Sequence, residues 1–76
     1  MSRYYFHQHV RGEKTEDERG ELFPSNAAAC HRAKQRMPAA LKRAAVRSRN
    51  TYVATEVTDG KHTLFIVRGT VIVEQR

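Results

Sequence analysis

Hydrophobic and polar residues alternate near the start of the chain, in the stretch RYYFHQHV that covers Arg3–Val10. This alternation predicts a β-strand with two different faces. The residues of one face are Tyr4, Phe6 and Val10, and those of the other are Tyr5, His7 and His9. A turn over Arg11–Lys14 and a short acidic strand over Thr15–Phe23 are expected to follow. That strand is interrupted at Gly20 and ended by Pro24, which has no N–H to donate.

The spacing of apolar positions changes from two to three or four after Pro24, which predicts an amphipathic helix. Ser25 or Asn26 is the expected N-cap, and the helix is expected to end in the stretch SRN, near Ser48 to Asn50. The apolar seam consists of Cys30, Ala33, Met37, Ala40, Leu41 and Ala44. Pro38 interrupts the run. It either kinks the helix, breaks it in two, or stands at the first position of a second short helix.

Two further apolar stretches, Thr51–Val57 and His62–Val67, flank the turn residues Asp59-Gly60 and predict a β-hairpin. The run Thr70–Glu74, after Gly69, is expected to add a last edge strand. The predicted order is therefore β-β-α-β-β, with an optional fifth strand at the end. This order is typical of an α+β two-layer sandwich, with one helical layer on an antiparallel sheet of four or five strands. With 76 residues, we expect a single domain over 1–76.

A single helical layer covers only one face of a sheet, so the other face meets solvent, a ligand or another subunit. We expect this open face to carry aromatic and histidine side chains that serve as a partner interface. The candidate residues are Tyr5, His7, His9, Tyr52 and Phe65.

The basic residues are concentrated in one segment of a chain whose net charge is +6. The segment Ser25–Asn50 holds seven lysines and arginines and no acid, whereas the rest of the chain holds seven bases and eight acids. On an unbroken helix four arginines fall within a stripe about 60° wide, beside the apolar seam. These candidate nucleic-acid-binding residues are Arg32, Arg36, Arg43 and Arg47. Arginine guanidinium groups suit phosphate oxygens through paired hydrogen bonds.

The same charges also fit a solvated helix face, since lysine and arginine are good helix formers and favour a helix C-terminus. The acidic residues before the helix could also neutralise the arginines within the molecule or across a dimer. These are Glu13, Glu16, Asp17, Glu18 and Glu21. Neither the glycine-aromatic string of RNA-recognition motifs nor a GXXG loop is present in the sequence.

Catalytic and metal-binding patterns are weak. His7 and His9 point the same way, but no spacing identifies the third ligand that a metal site needs. The candidates for that ligand are His62, His31, Cys30, Asp17 and Glu18. Cys30 lies on the apolar seam and is expected to be a small buried hydrophobe. There is no phosphate-binding glycine loop and no nucleophile elbow. We therefore expect a protein that is not an enzyme, with no metal, no cofactor and no small-molecule substrate.

The single cysteine gives no reason to place the chain in an oxidising compartment. No apolar run approaches the roughly 20 residues that cross a bilayer. The N-terminal MSRYYFHQHV has no apolar core typical of a signal peptide. The expected location is cytoplasmic, with no membrane partner.

Three short motifs resemble those of a known family. They are RYYFH at the start, Asp17-x-x-Gly20-x-x-x-Pro24-Ser25 before the helix, and EVTDG at Glu56–Gly60. The family consists of small bacterial proteins of unknown function, common in rhizobia and their relatives. Its members typically begin R-Y-[FY]-F and continue through D-E-x-G-x-x-L-P-D into a helix. The resemblance, from about Arg3 to Val67, implies a β-β-α-β-β fold and no catalytic residue or cofactor. The purely basic helix and Pro38 depart from the family pattern.

These features together predict a small binding module without enzymatic activity. The first interpretation is a protein-interaction or homodimeric domain that uses the open sheet face. The alternative is a module that binds DNA or RNA through the arginine stripe.

Overall fold

The structure is a computed structural model that describes residues 1–46 and 49–75. Its elements are β1 (Ser2–Val10), β2 (Glu13–Thr15), β3 (Glu21–Phe23), α1 (Asn26–Ala45), β4 (Thr51–Thr58) and β5 (Thr63–Val71). The strands form one antiparallel sheet in the order β2-β1-β4-β5, and β3 pairs with the first part of β1 on the same side as β2. The helix lies on one face. The predicted α+β class is confirmed.

The acidic segment after β1 forms two short strands instead of the single interrupted strand that the sequence predicted. The chain leaves β1 through Arg11 and Gly12, which both have positive φ, at 53° and 79°. Two such residues are typical of the tight turn that joins twisted antiparallel strands. β2 then pairs with the end of β1, the loop 16–20 leaves the sheet, and β3 pairs with the beginning of β1. β3 ends at Phe23, immediately before Pro24, as expected.

The helix begins where the sequence predicted and continues through Pro38. The Ser25 hydroxyl accepts a hydrogen bond from the Ala28 N–H at 3.1 Å, so Ser25 is the N-cap. The predicted break at Pro38, and the alternative second helix, are wrong. Proline is unfavourable inside a helix, but Pro38 is exposed, and Met37 before it and Ala40 two residues after it are anchored in the core. The helix ends at Ala45, before the end predicted near Ser48 to Asn50. Of these positions Ser48 lies outside the described residues, and Arg49 and Asn50 are not helical.

Small side chains let the helix lie close to the sheet, mainly over β4 and β5. Much of the predicted apolar seam is buried, at Ala33, Met37 and Ala40, together with Ala29, which the prediction left out. Cys30, expected to be buried, is half-buried. The largest side chains that are completely buried are only Val53 and Val57, so the core is thin.

β5 passes through Gly69 without interruption and ends at Val71. The separate strand predicted over Thr70–Glu74 is therefore wrong. A methyl group on Gly69 would lie 2.5 Å from Leu41 Cδ1 and 2.9 Å from Met37 Sδ. The glycine thus permits close contact between α1 and β5, and does not mark a turn.

Phe65 faces the helix and not the open face, which corrects one of the predicted interface residues. It lies opposite Val57 and packs against the core cluster that contains Phe6. The cause is a register shift between Val57 and Thr58, where β5 contains one additional residue. Because side chains alternate along a strand, one inserted residue moves all later side chains to the other face.

Candidate functional site

The other predicted interface residues do share the open face of the sheet. Tyr5, His7 and His9 alternate along β1, and His9 lies opposite Ala54 on β4. The alternation along β4 then places Tyr52 and Glu56 on the same face. The open face therefore carries the predicted aromatic and histidine side chains, together with a carboxylate that the prediction did not include.

Tyr5 is held by the fold at one end of this face. A Cβ atom on Gly20 would lie 2.9 Å from the Tyr5 ring, and one on Gly60 would lie 3.4 Å from it, so both glycines pack against the ring. Gly20 and Gly60 also have positive φ, at 68° and 95°. The ring further stacks on His7, with centroids 6.5 Å apart and an interplanar angle of 13°. Tyr5 is thus half-buried between two loops, and only part of it can meet a partner.

Asp17 connects the loop 16–20 to β1. Its Oδ2 accepts from the Phe6 N–H at 3.1 Å, and its Oδ1 accepts from the N–H groups of Arg19 and Gly20. The Asp17 N–H donates to His7 Nδ1 at 3.0 Å. Burial alone would raise the pKa of Asp17, but the N–H donors of Gly20, Phe6 and Arg19 together outweigh it and lower the pKa. His7 is therefore an acceptor within the fold and supports the loop.

Glu56 is the centre of a polar cluster on the open face. Its Oε1 lies 3.1 Å from His9 Nε2 and 3.7 Å from Lys14 Nζ, and its Oε2 accepts from the Thr63 hydroxyl. The hydrogen bonds from Thr63 and then His9 lower the pKa of Glu56. His9 thus has a carboxylate partner.

Beside this cluster the open face forms a shallow depression of about 460 Å³ near β5. Its floor includes the buried Ala54, and its rim includes Tyr52 and Ile66, which are each 48% exposed. Arg68 Nε donates to the Tyr52 hydroxyl at 2.7 Å, which fixes the tyrosine ring across the strands. His9, Glu56 and Thr63 of the polar cluster also line this depression, which therefore combines apolar and polar side chains.

The arginine stripe is only partly free. Arg36 makes two hydrogen bonds to the Glu21 carboxylate, at 2.5 and 2.7 Å, and its guanidinium lies 5.2 Å from the centre of the Phe6 ring. The hydrogen bond with Glu21 raises the pKa of Arg36 and lowers that of Glu21. Arg36 is therefore neutralised by Glu21 on β3, in agreement with the alternative that the acidic residues before the helix balance its charge within the molecule. Arg32 and Arg43 are exposed, and Arg47 lies outside the described residues.

A second depression, of about 480 Å³, separates the C-terminal part of α1 from the β1–β2 turn. Its lining includes Arg43 on α1, Arg11 in the turn and Glu13 at the start of β2. Arg11 Nη2 donates to the Ala44 carbonyl at 3.2 Å, so its charge stabilises the helix C-terminus.

A family model described as a domain of unknown function, DUF6894, matches residues 3–70. The chain belongs to this family. Comparison of the DUF6894 chain with curated proteins and with solved structures finds no match.

The three motifs on which the resemblance rested meet at one place in this DUF6894 domain. Tyr5 and His7 come from the first motif, Asp17 and Gly20 from the second, and Gly60 from the third. Each of them makes contacts within the chain that hold a loop against β1. The motifs are therefore accounted for by folding.

The described residues give no sign of a metal site or a membrane span. Within 1–46 and 49–75, no three side chains of His, Cys, Asp or Glu are grouped so that they could hold an ion. In the same part of the chain, no helix has the length and apolar character that crossing a membrane requires.

The sequence analysis missed Glu56. It named Asp17 as a motif residue and Glu21 as an acid that could neutralise the helix arginines, but it did not identify the loop contacts of Asp17 or the pairing of Glu21 with Arg36. The sequence did contain a signal for Asp17. An aspartate carboxylate commonly accepts hydrogen bonds from the backbone N–H groups two and three residues later in a turn, here those of Arg19 and Gly20. The period of two along β4 links Tyr52 to Glu56 and would have placed this carboxylate on the open face. The Glu21–Arg36 contact spans 15 positions, and no local pattern indicates it.

Proposed function

We propose that this DUF6894 domain is a protein-interaction module without enzymatic activity that works as a homodimer in the bacterial cytoplasm. Its contact surface is formed by the outer edge of β5 and the open-face side chains beside it. The observation that carries the proposal is the composition of β5. The nine residues TLFIVRGTV contain a single charged side chain, Arg68, in a chain in which 29% of the residues are charged. In the part of the chain that the structure describes, β5 pairs with β4 along one edge, and no strand pairs with its other edge.

Exposed apolar side chains support the same surface. Of the seven large hydrophobic residues that are exposed in the described part of the chain, two lie on β4 and β5, Tyr52 and Ile66, and two lie directly after β5, Ile72 and Val73. Ile72 is 67% exposed and Val73 is 51% exposed. An apolar group of this kind beside an unpaired strand favours association with another protein surface.

The thin core gives a reason for association. Among residues 1–46 and 49–75, four of the nine buried apolar residues are alanines, and the largest side chains that are completely buried are two valines. A single core in a chain of this size supplies on the order of 3–5 kcal/mol of net stability. Burying further apolar area against a second copy would add to the stability of the fold.

The titratable groups with shifted pKa values support a role without catalysis. Asp17 and Asp59 bind backbone N–H groups of their own loops, Glu21 binds Arg36, and Glu56 binds Thr63 and His9. In each case the cause of the lowered pKa is a contact that also holds the fold together. None of these carboxylates is arranged as a general acid with a raised pKa.

The test compares two lysine substitutions of nearly equal chemistry. Ile66→Lys places a charge on the proposed surface, whereas Leu22→Lys changes a residue of similar exposure, 51%, on β3. We expect wild type and Leu22→Lys to have the mass of a dimer in light scattering at about micromolar to millimolar concentration. We expect Ile66→Lys to be a folded monomer.

A monomeric wild type over the whole concentration range would contradict the proposal. Equal loss of dimer in both lysine variants would show that net charge, and not the β5 surface, controls association.

A second candidate function, nucleic-acid binding, is favoured by the charges on α1 that form no salt bridge in the described part of the chain. Within the described residues, Arg32, Lys34, Lys42 and Arg43 are all exposed and none has a carboxylate within 4.0 Å. Exposed arginines beside lysines suit a phosphate backbone. This function is compatible with a dimer, because the charges do not lie on β5.

A further inference from the structure

We infer that two copies of this domain join through antiparallel pairing of their β5 strands, which creates one continuous sheet with both helices on the same face. This inference rests on the proposed function and specifies its geometry. Four observations support it: the contrast between the two edges of the sheet, the symmetry of strand pairing, the two sides of α1, and the area available.

The two edges of the sheet differ in length and charge. One edge is divided between β2 and β3, which have three residues each, and β2 carries Glu13 and Lys14. Short strands and charged side chains are devices that protect an edge from pairing. β5 has nine residues, no proline and no acid. Its edge is thus the one that is suited to accept another strand.

A second copy supplies a strand of the same length and composition. Antiparallel pairing of identical strands requires a two-fold axis perpendicular to the sheet. Such an axis preserves the two faces of the sheet, so the helix of the second copy lies on the same face as the first. The open faces with Tyr52 and Glu56 then also become continuous on the opposite side.

The two sides of α1 have different compositions, and the sparsely charged side faces β5. Leu41 identifies this side by its proximity to Gly69, and Arg36 identifies the opposite side by its contact with Glu21 on β3. At 100° per residue, the β5 side also includes Cys30, Lys34, Pro38 and Ala45. The opposite side includes Arg32 and Arg43. A two-fold axis at β5 therefore brings together small or apolar residues, with one lysine from each copy.

This arrangement also limits repulsion between two chains that each carry a charge of +6. The stripe arginines Arg32, Arg36 and Arg43 lie on the outer flanks of the dimer. Near the axis each copy contributes Arg68 and Lys34. Any pairing through the β1 side of the sheet would instead place the arginine side of each helix at the junction.

The area is close to what a specific dimer needs. The strand and the helix are each about 30 Å long, and together they form a strip two layers high, on the order of 600 Å² per copy. Standard interfaces bury roughly 800 Å² per partner. The exposed Ile72 and Val73 after β5 extend the strip further.

The test measures distances between spin labels in the dimer. Cys30 is replaced by serine, and one label is attached to His62→Cys or to Thr70→Cys, which are exposed positions just before β5 and near its end. With the two-fold axis at the central residue, Val67, we expect separations of about 33 Å for position 62 and about 20 Å for position 70. If the register shifts along β5, one distance lengthens as the other shortens, so their sum stays near about 53 Å.

A further pair of labels tests the position of the helices. Lys34→Cys and Arg32→Cys lie on opposite sides of α1, and we expect the distance between the labels to be shorter at position 34 by up to roughly 20 Å, one helix diameter of about 10 Å for each of the two copies. A dimeric mass with short distances at both 62 and 70 would mean parallel pairing. A dimeric mass with a sum far from 53 Å would mean contact between open faces. Either result would overturn this inference and leave the homodimer standing, whereas a monomer would overturn both.

Discussion

Asp17 shows how one side chain can replace strand pairing at the point where the sheet edge is interrupted. The loop 16–20 separates β2 from β3, and over this gap the Phe6 N–H of β1 donates to the Asp17 carboxylate. The same carboxylate binds the Arg19 and Gly20 N–H groups, while the Asp17 N–H donates to His7. A half-buried N–H group would otherwise be without an acceptor, which is costly.

We predict that Asp17→Asn lowers the free energy of unfolding by about 1–3 kcal/mol near neutral pH. The amide keeps one oxygen for Arg19 and Gly20 but presents an NH₂ group to the Phe6 N–H. Urea unfolding measures the effect. Glu18→Gln is the matched control, because it removes the same charge from the neighbouring exposed residue. A similar loss in both variants would attribute the effect to charge and not to the hydrogen bonds.

The difference in the free energy of unfolding between wild type and Asp17→Asn is expected to decrease as the pH falls. The pKa of Asp17 is lowered in the native state, so its contribution to stability is complete above the ordinary pKa of an aspartate and is lost as pH falls through the native pKa. We therefore expect wild type and Asp17→Asn to differ most near about pH 7 and to converge near about pH 2. A difference that grows on acidification would contradict the assigned direction.

At the scale of elements, the sequence predicted the class and position of each long element but misjudged two local signals, those of Pro38 and Gly69. Pro38 and Gly69 are breakers by propensity, yet the helix and β5 continue through them because Met37, Ala40 and Leu41 fix both elements in one core. Propensity is a local preference, and tertiary packing overrides it. The register shift before Phe65 has no local signal either, and it decided which face that ring occupies.

We predict that Gly69→Ala lowers the free energy of unfolding by about 1–3 kcal/mol, since the added methyl group overlaps Leu41 Cδ1. Denaturant unfolding of a double-mutant cycle with Leu41→Ala checks the cause. We expect the double variant to lose at least about 0.5 kcal/mol less free energy of unfolding than the two single variants lose together, because the smaller side chain at position 41 makes room for the methyl group. Additive effects would mean that the strand, and not the helix contact, requires glycine.

At the scale of the whole molecule, charge and apolar surface are segregated. The arginines of α1 lie towards β1 and β3, where Glu21 neutralises one of them, and the β5 side of the molecule has few charges. If the basic face of α1 were only a solvated surface, we would expect no systematic separation between its arginines and the unpaired edge of β5. The segregation permits one surface for a protein partner and another for a polyanion, and the two candidate functions can therefore be tested independently.

The second candidate function predicts how affinity for nucleic acid depends on salt. If Arg32 and Arg43 each neutralise a phosphate of duplex DNA, we expect log affinity to fall with log salt with a slope of about −2 per helix. Fluorescence titration of short duplexes measures this slope, and charge reversal at Arg32 and Arg43 should abolish it. The matched control reverses Arg19 and Lys61, which are exposed in loops away from α1 and change the net charge equally. Equal weakening in both variants would mean that binding follows net charge alone. Absence of binding at about 150 mM salt would leave the basic side of α1 as a solvated face, and β5 as the single functional surface proposed for this domain.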